Sequence, residues 1–545
     1  MIDLRKIMAG CLALVGFVAY GAPTGADRAL PTATAAALPA HTLASASTPR
    51  ALSVLPSSAA HPQYGVLLAD PARQASDYQA GVRLAIIQVQ WSEWEPNSGV
   101  ISSAYQAQEI NIVNGFRAQG FTVGVNLSLN FAPSWVLNLP EGQLVDQSGA
   151  LSGTGNFEFS HSVRAAADTY ISSVASSLPG ISYYTVGGSE TGEAIYPISG
   201  GANHWWAFDK AAQGSVANLP VGTPASPMPG WVPGTSTWNG KAVTTAQSQS
   251  WYNWYEQALA SSLSWEMTTI RDAGFAGWFE LQLVGDGANP WVYSHRIAAD
   301  LAPESYDSWA TLNAGAYYPQ LLSDLSSLQG VTVDITSVGD ESGTPADNTC
   351  TSGDASVNYT TNSAVNDWSS TRWLTYLAGL HGLPVMGEST GQNSQAQMVH
   401  DVALAKACGF VAFQWAFDYE LYGGGYATIS DYANVIGHVP APGASLSPSS
   451  HVFSTRSAHT TSNAAVFTVT NTGTAALVLS AVTESGAGFN VAGDTCLSAP
   501  VAPSAHCTVS VTFSPTADTS YSGSVKITTH AGSPLNITVS GAALG

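Results

Sequence analysis

The segment YYTVGGSETGEAIYP, from Tyr183 to Pro197, joins a short apolar run to a glycine-rich turn that carries Glu190 and Glu193. A short run of apolar and aromatic residues that ends in glycines is typical of a buried β-strand. Acids that directly follow such a strand lie where parallel α/β proteins gather their functional side chains. The segment therefore predicts a buried strand that delivers two carboxyl groups to one edge of a sheet.

Seven further runs of the same kind occur between residues 61 and 440, separated by longer amphipathic stretches. The eight predicted strands are YGVLL (64–68), RLAIIQVQ (83–90), FTVGVNLS (121–128), SYYTVGG (182–188), WFELQLV (278–284), VTVDITSV (331–338), LPVMGE (383–388) and FVAFQWAF (410–417). Eight strands that alternate with helices predict an α/β fold, a (β/α)8 TIM barrel over 61–440. A doubly wound sheet is the alternative, but no Gly-x-Gly-x-x-Gly pattern follows the first strand.

The last hundred residues differ in composition from this region. All sixteen tryptophans lie between Trp91 and Trp415, and the Pro- and Ser-rich join VPAPGASLSPSS spans 439–450. Residues 447–545 consist of alternating apolar and polar runs broken by Gly, Pro and Asn, which predicts a small all-β antiparallel sandwich. Cys496 and Cys507 fall in this one module and are expected to form a disulfide in an exported protein. Whether Cys350 and Cys408 pair is left open by the sequence.

The amino terminus resembles a secretory signal. Arg5 and Lys6 precede the apolar stretch 7–20, and small residues follow it, so we expect residues 1–22 to be a bacterial-type signal peptide. Residues 23–60 are rich in Ala, Thr, Ser and Pro without periodicity, which predicts a flexible linker. The predicted location is secreted, periplasmic or at the cell surface. The net charge of −21 argues against a nucleic acid as partner.

Acids and tryptophans dominate the positions at the predicted strand ends. Indole faces stack on sugar rings, and carboxylates hydrogen-bond to hydroxyl groups, so these positions indicate a carbohydrate substrate. The predicted substrate-binding residues are Trp91, Asn130, Trp135, Tyr196, Gln282, Asp286, Trp291 and Trp415.

Cleavage of a glycosidic bond requires two carboxyl groups that flank the bond, one protonated and one ionised. Glu388, which ends the seventh predicted strand, is one candidate, and its partner is Glu190 or Glu193 after the fourth strand. Burial at a strand end raises a carboxyl pKa, as a general acid requires. The histidines form no metal-binding cluster, so neither a metal nor another cofactor is predicted.

Several of these segments resemble known glycosidase families. VQWSEWEPNSGVIS (89–102), LPVMGESTG (383–391) and FQWAF (413–417) resemble the strand-two, strand-seven and strand-eight segments of clan A glycosidases, notably bacterial beta-galactosidases. VGGSETGEAIYP (186–197) resembles the acid segment of beta-amylases. Both resemblances imply a glycoside hydrolase that acts on an oligo- or polysaccharide through a pair of glutamates, one of them Glu388.

The two resemblances differ in what they imply for the partner and for the stereochemistry. Clan A enzymes have Asn-Glu after strand four, where this chain has Ser189-Glu190, whereas the Gly-Glu-x-x-Tyr-Pro match to beta-amylases around Glu193 is complete. Glu193 is therefore preferred over Glu190. Clan A roles imply that Glu388 is a nucleophile and that configuration is retained, which is the preferred interpretation; beta-amylase roles imply inversion. A barrel that binds carbohydrate without cleaving it is the alternative from another class.

The tail segment FNVAGDTCLSAPVAPSAHCTVSVTFSPTADTSYSGSVKI (489–527) resembles the choice-of-anchor D modules, which are close to the abnormal-spindle-type immunoglobulin-like repeats. The resemblance implies a stalk, a spacer or a weak binding module. Contact with a cell surface or a polysaccharide is its expected role.

Overall fold

The computed structural model describes residues 62–545 except 199–202, 215–218, 286, 304–311, 340–348, 392, 425, 439–441, 474–475, 504 and 531–533. The predicted signal peptide and linker lie outside the described residues, as does Asp286.

Eight parallel strands close into a barrel in which each strand pairs with the next and the eighth pairs with the first. In chain order the barrel strands are Gln63–Val66, Leu84–Gln88, Thr122–Asn126, Tyr183–Val186, Trp278–Leu283, Val331–Val338, Val385–Ser389 and Ala412–Trp415. Each predicted run contributes one of them, so the predicted TIM barrel is confirmed. These strands are referred to below as strands one to eight.

Alternate residues of each strand point to the barrel interior and to the surrounding helices. The interior contains Leu84, Ile86, Tyr183, Trp278 and Met386, which form one apolar cluster. The intervening strand residues pack outward against the helices in a much larger apolar core. Each strand is thus buried on both faces, as its apolar composition predicts.

Helices cover the outside of the barrel, and several begin at a Ser, Thr or Asn whose side chain accepts a hydrogen bond from the first turn. Ser102 and Ser160 cap two of the long helices, and Thr244 forms a capping box with Gln247. The α-helices are Gln74–Gln79, Trp91–Trp94, Ser103–Gln119, Ser134–Leu137, His161–Ser177, Thr245–Asp272, Pro290–Ala298, Tyr318–Leu325, Ser370–Leu380, Gln395–Ala407, Glu420–Gly423 and Ile429–Val435. Two small hairpins, Gln143–Val145 with Leu151–Gly155 and Thr237–Trp238 with Lys241–Ala242, lie in the loops.

The carboxy-terminal residues form two four-stranded sheets, which confirms the predicted immunoglobulin-like sandwich. In sheet order, one contains Ala444–Ser447, Ala465–Asn471, His506–Phe513 and Phe489–Asp494; the other contains Ser450–Val452, Leu535–Ala542, Ser520–Thr529 and Leu479–Ser485. Inward-facing side chains of both sheets, including Phe467, Val509 and Ile537, form their own apolar core. This part of the chain therefore has a core separate from that of the barrel.

Two disulfides are present in the structure. Cys496 is bonded to Cys507, as predicted, and both cysteines are buried in the sandwich. Cys350 is bonded to Cys408, which settles the pairing that the sequence left open. No helix in the described part of the chain is long and apolar enough to span a membrane.

Gly124 in strand three makes room for the ring of Tyr183 inside the barrel. A Cβ atom at Gly124 would lie 2.2 Å from that ring. The ring in turn stacks on Trp278, with 4.8 Å between centroids. One glycine therefore permits an aromatic layer that fills the interior.

We expect Gly124→Ala to lower the free energy of unfolding by about 1–3 kcal/mol, because the added methyl group overpacks this layer. The thermal unfolding midpoint of the barrel measures the effect. Gly379→Ala is the control, since Gly379 lies on an exposed helix face where a Cβ atom meets nothing within 4 Å. That change should raise stability by about 0.5–1 kcal/mol. Equal midpoints for the two variants would contradict the packing argument.

Candidate active site

The loop after strand four folds back on itself and brings Glu193 close to the strand end. The amide of Ser189 donates to the carbonyl of Glu193 at 3.4 Å, and the amide of Ala194 donates to the carbonyl of Gln282 in strand five at 2.9 Å. A Cβ atom at Gly187 would lie 2.2 Å from the carbonyl oxygen of Gly192. Glycine at 187 is therefore required for this close approach, which accounts for the glycine-rich sequence.

The carboxylate of Glu190 is bound within this loop. Its Oε1 accepts a hydrogen bond from the amide of Ile198 at 2.9 Å. The main-chain carbonyl of Glu190 accepts a second hydrogen bond, at 3.1 Å, from Nδ2 of Asn130 in the segment after strand three. Glu190 thus links two neighbouring strand-end loops, and the structure gives this predicted site residue a role in holding the loop.

The carboxyl group of Glu193 is in a different environment. Its Oε2 atom is buried and has no hydrogen-bond partner in the structure. Burial raises the pKa of Glu193, and the charge of Glu190 raises it further. A carboxyl group of this kind stays protonated to higher pH than usual, as a general acid must.

Glu388 is the fourth residue of strand seven and is only 8% exposed. Its Oε2 atom is also buried without a hydrogen-bond partner. Burial raises the pKa of Glu388 well above its usual value, and the charges of Asp334 and Glu193 raise it further. The carboxyl groups of Glu193 and Glu388 are therefore close enough to interact at the same end of the barrel.

Two acids of the site were missed by sequence reasoning: Glu280 in strand five and Asp334 in strand six. Both are completely buried and lie at inward-facing positions. One oxygen from each of Glu280, Asp334 and Glu388 lies within 4.8 Å of the others. The signal was available, because a single acid in the middle of an apolar strand must find compensation for its burial. Glu280 and Asp334 lie in the middle of their strands, away from the strand ends where functional acids are expected.

Three of the predicted sugar-stacking aromatics are instead core residues. Trp91 stacks on Tyr170, with 5.0 Å between ring centroids, and Tyr196 stacks on Tyr255 at 3.9 Å. Trp415 packs against Tyr432 in the layer between barrel and helices. All three are fully buried. For Trp415 the reason is the strand alternation, since the preceding residue points into the barrel and Trp415 must point outward.

The remaining predicted binding residues lie in several places around this end. Trp135 is half-buried, and its Nε1 donates to the carbonyl of Glu95 at 3.1 Å. Gln282 is buried beside Asp334, whose pKa is raised by burial and lowered in part by the Gln282 side chain. Trp291 is half-buried at the start of a helix, where its ring centroid lies 4.0 Å from that of His295. The structure brings Gln282 to the acids but leaves the two tryptophans in two separate helices.

Comparison with known proteins agrees with the architecture. Residues 444–542 match a family model described as a HYDIN/CFA65/VesB-like, Ig-like domain. No curated protein sequence matches the chain.

Among solved structures, the catalytic domain of beta-amylase from Paenibacillus polymyxa is 15% identical, with 69% of this chain and 97% of that one covered and a TM-score of 0.47. A beta-galactosidase from the psychrophilic Marinomonas ef1 is 11% identical, with 69% and 59% covered and a TM-score of 0.42. Endo-glycoceramidase II from Rhodococcus sp. is 12% identical, with 86% and 100% covered and a TM-score of 0.37.

Similarities this low assign no activity, so the site has to be interpreted from its own geometry. Fold and site together define a (β/α)8-barrel protein with an Ig-like carboxy-terminal domain. Glu193 and Glu388, each with a buried carboxyl oxygen, lie at the carboxyl end of the barrel strands.

We expect Asn130→Ala to loosen the strand-four loop, because the carbonyl of Glu190 loses its donor, a loss of about 1 kcal/mol. Hydrogen–deuterium exchange should become faster over 187–193. Asn114→Ala, on the exposed face of a covering helix, is the matched control and should leave exchange in this loop unchanged. Unchanged exchange in Asn130→Ala would mean that the loop is held by its other contacts.

Proposed function

We propose that the protein is a secreted glycoside hydrolase that cleaves O-glycosidic bonds of an oligo- or polysaccharide. The observation that carries this proposal is a pair of glutamates, each with a buried carboxyl oxygen, at one end of the barrel. Glu193 comes from the strand-four loop and Glu388 from strand seven, and the charge of Glu193 raises the pKa of Glu388 beyond the larger effect of burial. Two carboxyl groups with different roles are the minimum machinery for this reaction.

Glu193 is the proposed acid and Glu388 its partner. Glu193 has a buried carboxyl oxygen without a hydrogen-bond partner, so its proton is available to the leaving oxygen of a sugar. Glu190 is less suited to this role, because its carboxylate already accepts a hydrogen bond from the loop backbone. Its nearby negative charge instead favours the protonated form of Glu193.

The proposed reaction has two steps, with retention of anomeric configuration. The carboxylate of Glu388 attacks the anomeric carbon while Glu193 protonates the departing oxygen, which leaves a glycosyl ester on Glu388. Glu193, now ionised, takes a proton from water, and the resulting hydroxide displaces Glu388. The resemblance of the strand-two and strand-eight segments to clan A glycosidases favours this route over inversion.

Substitution of the three glutamates tests the assignment. Glu388→Gln should reduce hydrolysis by about 10³-fold or more on every substrate, because the attacking group is lost. Glu193→Gln should lose about 10²–10⁴-fold on polysaccharides but little on aryl glycosides, whose good leaving groups need no proton. Glu190→Gln should stay within about tenfold of the unmodified protein on both. Initial rates on a panel of polysaccharides and aryl glycosides give these ratios.

Two outcomes of that panel would count against the proposal. Equal rescue of Glu190→Gln and Glu193→Gln by aryl glycosides would remove the assignment of Glu193. Binding of a polysaccharide without release of product, unaffected by Glu388→Gln, would identify a carbohydrate-binding protein that has kept the barrel without the chemistry.

The stereochemical part has its own measurement. ¹H NMR of the first product formed from any active substrate should show the anomeric configuration of that substrate, because a covalent intermediate inverts it twice. The opposite anomer as first product would make Glu388 a base that activates water, as in beta-amylases.

A further inference from the structure

Glu280, Asp334 and Glu388 form a group of three buried carboxyl groups inside the barrel, one from each of strands five, six and seven. Two of them are completely buried and the third is 8% exposed. Of these three acids, only Glu388 takes part in the reaction proposed above. Glu280 and Asp334 therefore need an explanation of their own, since each buried charge is costly without compensation.

Few polar groups of the barrel surround these acids. Nε2 of Gln414 donates to Oε1 of Glu280 at 2.9 Å, and the hydroxyl of Tyr183 donates to Oε1 of Gln414 at 3.3 Å. These two hydrogen bonds hold Glu280 in place from strands eight and four. Oε2 of Glu280 and both oxygens of Asp334 are buried without a hydrogen bond of normal geometry, although the side chain of Gln282 is near enough to lower the pKa of Asp334.

The contact between Glu280 and Asp334 accounts for these unpartnered oxygens. One oxygen of Glu280 and one of Asp334 lie within 4.8 Å of each other, and each carboxyl group shifts the pKa of the other as a hydrogen-bonding neighbour. Two ionised carboxylates have no proton to donate, so each would repel the other. One proton between them converts the same contact into an O–H···O⁻ hydrogen bond, which is among the stronger kinds.

The titratable groups that act on these three carboxyl groups are themselves all acids. Among the described residues, Glu193 from the strand-four loop acts on Asp334 and on Glu388, and the phenol of Tyr183 in strand four faces Glu280 and Asp334. No described lysine, arginine or histidine contributes to the pKa of any of the three carboxyl groups. Burial, the largest cause, raises the pKa of Asp334 to about 7. Protonation is therefore what compensates the burial of these carboxyl groups among the described residues.

We propose that Glu280 and Asp334 share a proton and act as a positioning pair for Glu388. The shared proton holds the two carboxyl groups together beneath Glu388 and limits the negative charge there to one. That remaining charge raises the pH at which Glu388 ionises. Glu280 and Asp334 touch no reacting atom, and this inference rests on the proposed role of Glu388 in hydrolysis.

Asp334→Asn in the full-length protein tests the pair. Asparagine is nearly isosteric and its amide can donate to Glu280, so the contact is kept while the shared proton is removed. The one charge of the pair then lies on Glu280, so Glu280→Gln is added to remove it. In the double variant the acidic limb of the kcat/KM profile, which reports ionisation of Glu388, should move lower by about 0.5 pH units or more, because the like charge near Glu388 is gone. Asp367→Asn, at an exposed position, is the matched control and should leave the profile in place. An unmoved limb in the double variant overturns the proposal.

A second measurement does not depend on activity. Because the folded-state pKa of Asp334 lies above its unfolded value, its contribution to stability is present at low pH and is lost as pH rises through about 7. The fall in Tm between pH 5 and pH 8 should be smaller in Asp334→Asn than in the unmodified protein. Glu280→Gln, which keeps an oxygen for Gln414, should show the same change and serves if Asp334→Asn does not fold.

The two measurements separate the possible failures. A smaller Tm dependence on pH in a protein that hydrolyses no substrate would support the shared proton and refute the proposed activity. An unchanged dependence of Tm on pH in a protein that hydrolyses a substrate would refute the shared proton and support the proposed activity. A rise in Tm on addition of calcium or magnesium chloride, abolished in Asp334→Asn, would show that a cation compensates the group and would overturn the shared proton.

Discussion

The candidate site depends on one electrostatic constraint: several carboxyl groups are held close together away from water, and no described basic group neutralises them. Glu193, Glu280, Asp334 and Glu388 come from four consecutive barrel strands and their loops, and each shifts the proton affinity of at least one other. Like charges in a medium of low polarity repel strongly. The group is therefore stable only when some of its members carry protons, and this supplies both an acid and its ionised partner.

The rest of the barrel creates the geometry that this constraint requires. Strands that run in parallel bring their carboxyl ends to one face, and the glycine-rich loop after strand four turns back so that Glu193 lies beside strand five. Below the acids, the interior is filled by the stacked rings of Tyr183 and Trp278. The hydroxyl of Tyr183 reaches Gln414 and thus joins this packed layer to the acids. Tyr183 therefore contacts both the packed interior, through its ring, and the hydrogen bonds of the acids, through its hydroxyl.

The predicted acids Glu193 and Glu388 lie near each other, whereas three of the aromatic residues that were predicted from their strand-end positions to bind sugar are buried in the core. A tryptophan near a strand end is equally consistent with an exposed sugar platform and with a buried contact to a helix. Trp91, Tyr196 and Trp415 are of the second kind, because each is fully buried and packs against another aromatic ring. Strand alternation would have shown this for Trp415 once the inward direction of Gln414 was known. The barrel acids Glu280 and Asp334 were not predicted, because in sequence a single acid within an apolar strand lacks the strand-end position that marks a functional side chain.

Sequence alone determined the eight strands, the order of the two domains and the pairing of Cys496 with Cys507. These features follow from local composition, periodicity and spacing, which a chain displays without being folded. Tertiary structure alone decided which acids face one another and that Cys350 reaches Cys408. It also decided that the carboxylate of Glu190 accepts a hydrogen bond from the loop backbone while Oε2 of Glu193 has no partner. Such choices depend on the direction in which each side chain points and on what lies opposite, and both are set only when the barrel closes.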